Sequence, residues 1–146
     1  MKRRYSFMLA LTFILTTCST NQTSEMNATN DRLSSCPKSP NCVSSLSEDK
    51  SHYVEPLRYK ATLEEAREKL ISIINAMKRT EIVTAEINYI HATFKSGLFR
   101  FVDDVEFSFD DQKKIINVRS ASRTGYSDLG VNRKRIEEIR QRFVNP

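Results

Sequence analysis

The stretch from Leu98 to Arg135, LFRFVDDVEFSFDDQKKIINVRSASRTGYSDLGVNRKR, limits most severely what this chain can fold into. Odd positions from Phe99 read Phe99, Phe101, Asp103, Val105, Phe107, Phe109, the period of two expected of a strand with one buried face. An uninterrupted strand would aim Asp103 into that apolar face. Burying an ionised group is unfavourable unless it is paired and hydrogen-bonded. Either a bulge or turn near Val102 to Asp104 resets the alternation, or Asp103 is a partly buried carboxylate held by an arginine. Even positions carry Arg100, Asp104 and Glu106.

A second strand follows over Ile115 to Ser122, with Asp110 to Lys114 as the hairpin loop. It places Ile116, Val118, Ser120 and Ser122 on one face and Asn117, Arg119 and Ala121 on the other. If Phe107 lies opposite Ile116, Asp104 faces Arg119; if it lies opposite Val118, Glu106 faces Arg119. Both registers hand Arg119 a carboxylate. Arg123 to Gly130 then leaves the sheet as a loop containing Tyr126 and Asp128, with Gly125 and Gly130 free to take positive φ. Asn132 or Asp128 is the expected cap of a last helix whose apolar face is Ile136, Ile139, Phe143 and Val144. A helix start adjoining Arg123, Arg133 and Arg135 suits an anion, because free backbone donors and positive charge coincide there. The same arginines could instead neutralise Asp103, Asp104 and Glu106 in a closed structural network.

Upstream, Thr62-Leu63-Glu64-Glu65 is a capping-box signature. Leu63, Ala66, Leu70, Ile73, Ile74 and Met77 recur at helical spacing after it and predict a helix packed on a sheet. His52 to Tyr59 is expected as a short strand leading in, confined to an edge or a bend by Pro56. After Lys78 the period falls to two. Val83, Ala85 and Ile87 alternate with Ile82, Thr84 and Glu86, and Ile90, Ala92 and Phe94 with Tyr89, His91 and Thr93, so two strands are expected around a turn or bulge at Asn88. His91 lies on the polar face, where a hydrogen-bonded or solvated side chain is the plain reading. The sum is an α+β domain: a mostly antiparallel sheet of about four to five strands with two helices packed on one face.

The chain's first residues carry a different message. Met1 to Arg4 supply a positive start, Tyr5 to Leu15 an apolar run of signal-peptide length, too short for a transmembrane helix. Leu15-Thr16-Thr17-Cys18 resembles the bacterial lipobox, cleaved before a cysteine that becomes lipid-modified; Thr17 departs from the usual small residue. The expected organisation is a signal peptide over 1–17, a lipidated Cys18 with a polar tether over 18–35, and one domain over 36–146. Such a tether spans on the order of 20–25 Å. Resemblance to lipoprotein sorting places the protein in the cell envelope, membrane-anchored through Cys18, on the outer membrane facing the periplasm if the host has two membranes. A plain secreted protein and an uncleaved anchor are the competing readings.

The leader also accounts for the charge. Formal charge is +5; taking Lys2, Arg3 and Arg4 from 23 basic residues leaves 20 against 18 acidic, with no basic run left to grip nucleic acid. Assigning Cys18 to lipid leaves Cys36 and Cys42, an even remainder that in an exported chain reads as a disulfide. Closing that short loop contributes roughly 2–2.5 kcal/mol in the chain-entropy model. Zinc is the alternative, but His52 and His91 lack metal-type spacing to these cysteines.

Cys-Pro-Lys-Ser-Pro-Asn-Cys-Val-Ser-Ser from Cys36, Phe101-Val102-Asp103-Asp104-Val105-Glu106, and Arg119 through Arg135 together resemble the bacterial and plastid family catalogued as domain of unknown function 1499. The resemblance runs from about Cys36 to Phe143. It brings no reaction or ligand, so no catalytic residue is carried over. Glycine-rich phosphate loops, a dinucleotide fingerprint, His-Glu-x-x-His and a nucleophile elbow are all missing. Ser120 and Ser122 lack a credible histidine base. Asp103, Asp104 and Glu106 could hold Mg²⁺ or Ca²⁺ only with a bulge, since adjacent strand residues face opposite ways. No cofactor is expected.

The candidate binding residues are therefore Arg100, Asp103, Asp104, Glu106, Arg119, Ser120, Ser122, Arg123, Tyr126, Asp128, Asn132 and Arg133, facing an anionic small molecule, a lipid headgroup or an envelope protein. The leading expectation is a non-catalytic binding module. The alternative is a hydrolase-like envelope enzyme with Asp103 or Asp104 as acid or base and arginines on an anionic substrate.

Overall fold

The computed structural model describes residues 32–145. The expected signal peptide, the lipidated Cys18 and the tether as far as residue 31 lie outside the described residues. Eight elements follow in order: β1 (Cys42–Ser44), β2 (Leu57–Arg58), α1 (Leu63–Ala76), β3 (Thr80–Ala85), β4 (Tyr89–Lys95), β5 (Val102–Asp110), β6 (Ile115–Ser122) and α2 (Val131–Val144). The strands form one antiparallel sheet in the order β1-β6-β5-β4-β3, with β2 also on the outer edge of β6. This is the expected α+β architecture, with six strands where four to five are expected, because β1 and β2 are only three and two residues long.

Burial follows the pleat. Val105, Phe107 and Phe109 of β5, Ile116 and Val118 of β6, and Ile90, Ala92 and Phe94 of β4 share the face covered by both helices. Ala66, Leu70 and Ile74 of α1 and Ile136, Ile139 and Phe143 of α2 close the core above them. All of these buried core residues lie between Val43 and Phe143. Fully burying a side chain of this size contributes about 1.5–3 kcal/mol, which makes this layer the main source of stability.

Helix α1 begins as its sequence dictates. Thr62 Oγ1 accepts from the Glu65 N–H at 3.2 Å, while a Glu65 carboxylate oxygen accepts from the Thr62 N–H at 2.9 Å. Helix α2 takes one of its two expected caps and not the other. Its N-cap is Gly130, in the left-handed region at φ 78°, and no side chain at that position caps it. Asp128 does the work from two residues earlier, accepting from the N–H groups of Gly130 at 3.0 Å and Asn132 at 2.8 Å. Asn132 is not a cap: it is fully buried inside the first turn.

Strand β3 carries a change of phase. Ile82 packs on the core and Val83 is exposed, while Ile87 lies beyond the strand in the turn to β4 and is exposed there. A register shift between Ile82 and Thr84 in the pairing with β4 turns the strand there, since an extra residue resets which side chains point inward. Cys36 and Cys42 are joined in a disulfide with Cα atoms 5.6 Å apart. Among the described residues no helix is long and apolar enough to cross a membrane.

Candidate functional site

Strand β5 pairs without interruption from Asp103 to Asp110 with β6 and from Val102 to Ser108 with β4. There is no bulge at Asp103. Its side chain therefore stays on the helix face and is buried, as the second of the two sequence readings requires. The arginine that holds it is Arg135, whose Nη2 donates to Asp103 Oδ2 at 2.5 Å, with both side chains more than nine-tenths buried. The Arg135 guanidinium also lies 4.9 Å from the ring centre of Phe94. Arg135 Nη1 donates to Asn132 Oδ1 at 2.6 Å and to Ser120 Oγ at 3.0 Å.

Asn132 completes this cluster. Its Oδ1 also accepts from Ser120 Oγ at 2.6 Å, and its Nδ2 donates to the Asn41 carbonyl and to Ser122 Oγ, each at 3.1 Å. One amide thus ties α2 to β6 and to the segment entering β1. Asn41 Nδ2 in turn donates to the Gly125 carbonyl at 2.6 Å, fixing the loop before α2. A buried polar group with all its bonds made rigidifies a core; the same group left unmet would cost about 1–3 kcal/mol.

One residue along β5 the chemistry faces the other way. Asp104 accepts a two-pronged contact from Arg123, Nε to Oδ2 and Nη2 to Oδ1, both at 2.8 Å, and also meets His91 Nε2 at 2.8 Å. The Arg123 hydrogen bonds hold the Asp104 carboxyl below its ordinary value, outweighing partial burial, with His91 helping. Such a carboxylate is a poor proton acceptor at neutral pH. Glu106 lies directly opposite Arg119, so the register is the one that pairs Phe107 with Val118. Arg119 Nη1 donates to Glu106 Oε2 at 2.9 Å and the Tyr89 hydroxyl donates to Oε1 at 2.7 Å. Burial and the neighbouring Glu106 push the Tyr89 phenol well above its usual range.

The N-terminal segment crosses this second face. Arg32 pairs with Glu86 and lies 4.2 Å over the Tyr89 ring at the β3–β4 turn, while Cys36 is bonded to Cys42 on the opposite edge of the sheet. Leu33 between them is buried. Arg119 Nε is buried here with no hydrogen-bond partner among the described residues.

The sequence-selected residues therefore divide into five places. Asp103, Ser120 and Asn132 converge on Arg135, with Ser122 joined through Asn132; Asp104, Glu106, Arg119 and Arg123 lie on the other face. Arg133 donates to the carbonyls of Tyr53 and Ser51 and holds the loop before β2. Asp128 caps α2. Arg100 and Tyr126 stand exposed in loops and join neither cluster. Asn41 is the residue that sequence reasoning did not select; Arg135 was among the three arginines expected to meet the carboxylates, and it stands three residues from Asn132 at the start of a helix, on the same face. Asp103 and Arg123, which would have to converge to form a charged site, lie on opposite faces of the sheet. Among the described residues no three His, Cys, Asp or Glu side chains are grouped to hold a metal ion.

Clefts occur elsewhere. One of about 660 Å³ opens between the β2–α1 segment and the ends of both helices, lined by Tyr59, Ala66, Lys69, Phe143 and Val144 among others. A smaller one of about 240 Å³ lies beside the β4–β5 hairpin.

The fold and its charges define an α+β domain in which paired ions clamp a helix to one face of a meander and seal the other. A model of the family described as Protein of unknown function (DUF1499) matches residues 32–143. The chain belongs to that family. No curated protein matches the chain.

Proposed function

We propose that the chain is a membrane-tethered domain of the cell envelope that acts by binding and not by catalysis, with its ionic clusters serving as scaffold. The observation that carries the reading is the division of the two carboxylates: Asp103 is held by Arg135 on the buried face and Asp104 by Arg123 on the other. A hydrolase would need one of them poised beside a substrate-sized cavity. Instead each is already neutralised, and Asp104 is held ionised. The lipobox-like Leu15 to Cys18 supplies the tether.

The test compares envelope function in cells with the melting point of purified protein for Asp104→Asn and Glu106→Gln. Function retained, with a small loss of stability, supports the reading. Function abolished at an unchanged melting point would return these carboxylates to an active site. Labelled fatty acid entering the wild type and failing to enter Cys18→Ala tests the tether separately.

A further inference from the structure

The β4–β5 hairpin carries side chains that neither the core nor the ionic clusters use. Leu98, Phe99 and Phe101 are 82%, 71% and 53% exposed, and the two phenylalanine rings stack on each other 5.6 Å apart. The loop itself is built. Ser96 N–H donates to the Phe101 carbonyl, and Phe101 N–H donates to Ser96 Oγ, both at 2.9 Å. Arg100 at its tip is held at φ 54°, a conformation unfavourable for a side chain of that size. The loop before α2 leaves the sheet at the same end, joined to the hairpin base by the Arg123 N–H to Val102 carbonyl bond at 3.0 Å. It adds Leu129, 88% exposed and also at φ 54°.

Immediately behind these apolar prongs is the cleft of about 240 Å³, lined by Arg79, Glu81, Lys95 and Arg100 with Thr80, Ser96 and Gly97. Three cations face one carboxylate. Lys95 lies 3.9 Å from Glu81. Among the described residues Arg79 spends only its Nε, on the Lys95 carbonyl at 3.1 Å, and Arg100 has no acidic partner.

We infer that this end of the sheet docks on a membrane surface containing anionic phospholipid, the apolar prongs entering the headgroup–acyl boundary and the Arg79, Lys95 and Arg100 cleft receiving a lipid phosphate. The inference rests on the reading of the chain as a binding domain and names its partner. Apolar tips with cations at their base match the layering of a bilayer interface, where acyl chains lie beneath phosphates. A protein partner fits less well. The three hairpin side chains offer on the order of 450 Å², against the ~800 Å² each partner of a stable protein complex buries. Reach is not an obstacle. Arg32 enters at the opposite end of the sheet, but the chain from Cys18 to Arg32 extends to on the order of 45–50 Å, and β5 is only about 30 Å long.

The chain has no tryptophan, so Phe99→Trp gives a single reporter at the tip. The segment 32–146, which spans the core among the described residues and the whole family match, avoids confusion with the lipid anchor. Its emission should shift to the blue on vesicles of phosphatidylcholine with phosphatidylglycerol, and much less on phosphatidylcholine alone. Leu98→Ser should weaken vesicle binding about tenfold. Arg79→Gln or Arg100→Gln should weaken it about fivefold, on the anionic vesicles only. Because these side chains are exposed, their melting points should match the wild type. Inorganic phosphate at millimolar concentration should not displace the protein; displacement would assign the cleft to a free anion and overturn the lipid surface. An unmoved emission, vesicle binding indifferent to Leu98→Ser, or a dimer in solution that Leu98→Ser dissociates would each overturn it too. Failure here leaves the binding-domain reading standing, since that reading falls only to the open-face carboxylate variants.

Discussion

On one face of β5, Asp103 meets Arg135 in an interior closed by Asn132, Ser120 and the ring of Phe94; one residue along, Asp104 meets Arg123 with solvent beside both. The ion types are the same and so is the strand. What differs is the medium. A buried pair contributes little relative to apolar residues of the same size, but removing one partner strands a charge and destabilises strongly. A solvent-facing pair is worth about 0–1 kcal/mol in general. Equal geometry therefore implies unequal weight, and the strand alternates a structural clamp with a surface pairing.

The comparison is broken most severely at Arg135. Arg135→Met leaves Asp103 unpaired under α2, and should lower stability by roughly 3–5 kcal/mol, with the melting point falling by on the order of 10 °C or more; thermal unfolding followed by circular dichroism measures it. A fall of only a degree or two would mean that water reaches Asp103. Next comes Asn132→Leu, which strips partners from Arg135, Ser120, Ser122 and the Asn41 carbonyl at once. A loss of about 1–3 kcal/mol is expected in urea unfolding, together with faster amide exchange in the loop around Gly125, which Asn41 anchors.

The smallest effect lies on the open face and depends on pH. Arg123 and His91 hold the folded Asp104 carboxyl below its ordinary value of 3.8. A lowered folded value means that the contribution is fully present above the unfolded value and is lost as pH falls through the folded one. Wild type should thus exceed Asp104→Asn in stability by under about 1 kcal/mol at neutral pH, and the two should converge under acid. A gap that persisted or widened in acid would contradict the assignment of the ionised carboxylate.

Much of this arrangement was legible in the chain. The capping box at Thr62 and Glu65, the period of two along β5 and β6, and the even pair Cys36 and Cys42 each carry local physics that needs no tertiary context, and each holds. Strand parity also located Asp103 on the apolar face. It could not identify Arg135 as the partner, because that depends on how α2 is placed over β5, which no local pattern encodes. Strand β1 escaped notice for a related reason: three residues, Cys42 to Ser44, are too few to show a period. The bulge beside Val83 was not legible either, because it is a one-residue change in phase that hydrophobicity alone does not mark. Of the two expected caps of α2, Asp128 holds the first N–H groups, while Gly130 in its left-handed conformation opens the helix and Asn132 turns inward.

A pair of double-mutant cycles on the purified domain tests most directly whether the ionic clusters are scaffold. One cycle joins Asp103→Asn with Arg135→Met; the other joins Asp104→Asn with Arg123→Ala. The account predicts a large coupling energy for the first pair, at the upper end of the roughly 0.5–3 kcal/mol range for contacting residues, and a several-fold smaller one for the second, with every open-face variant retaining envelope function. Open-face variants that raise the melting point while abolishing that function would contradict it, because a pair that lowers stability while serving function is the mark of a site.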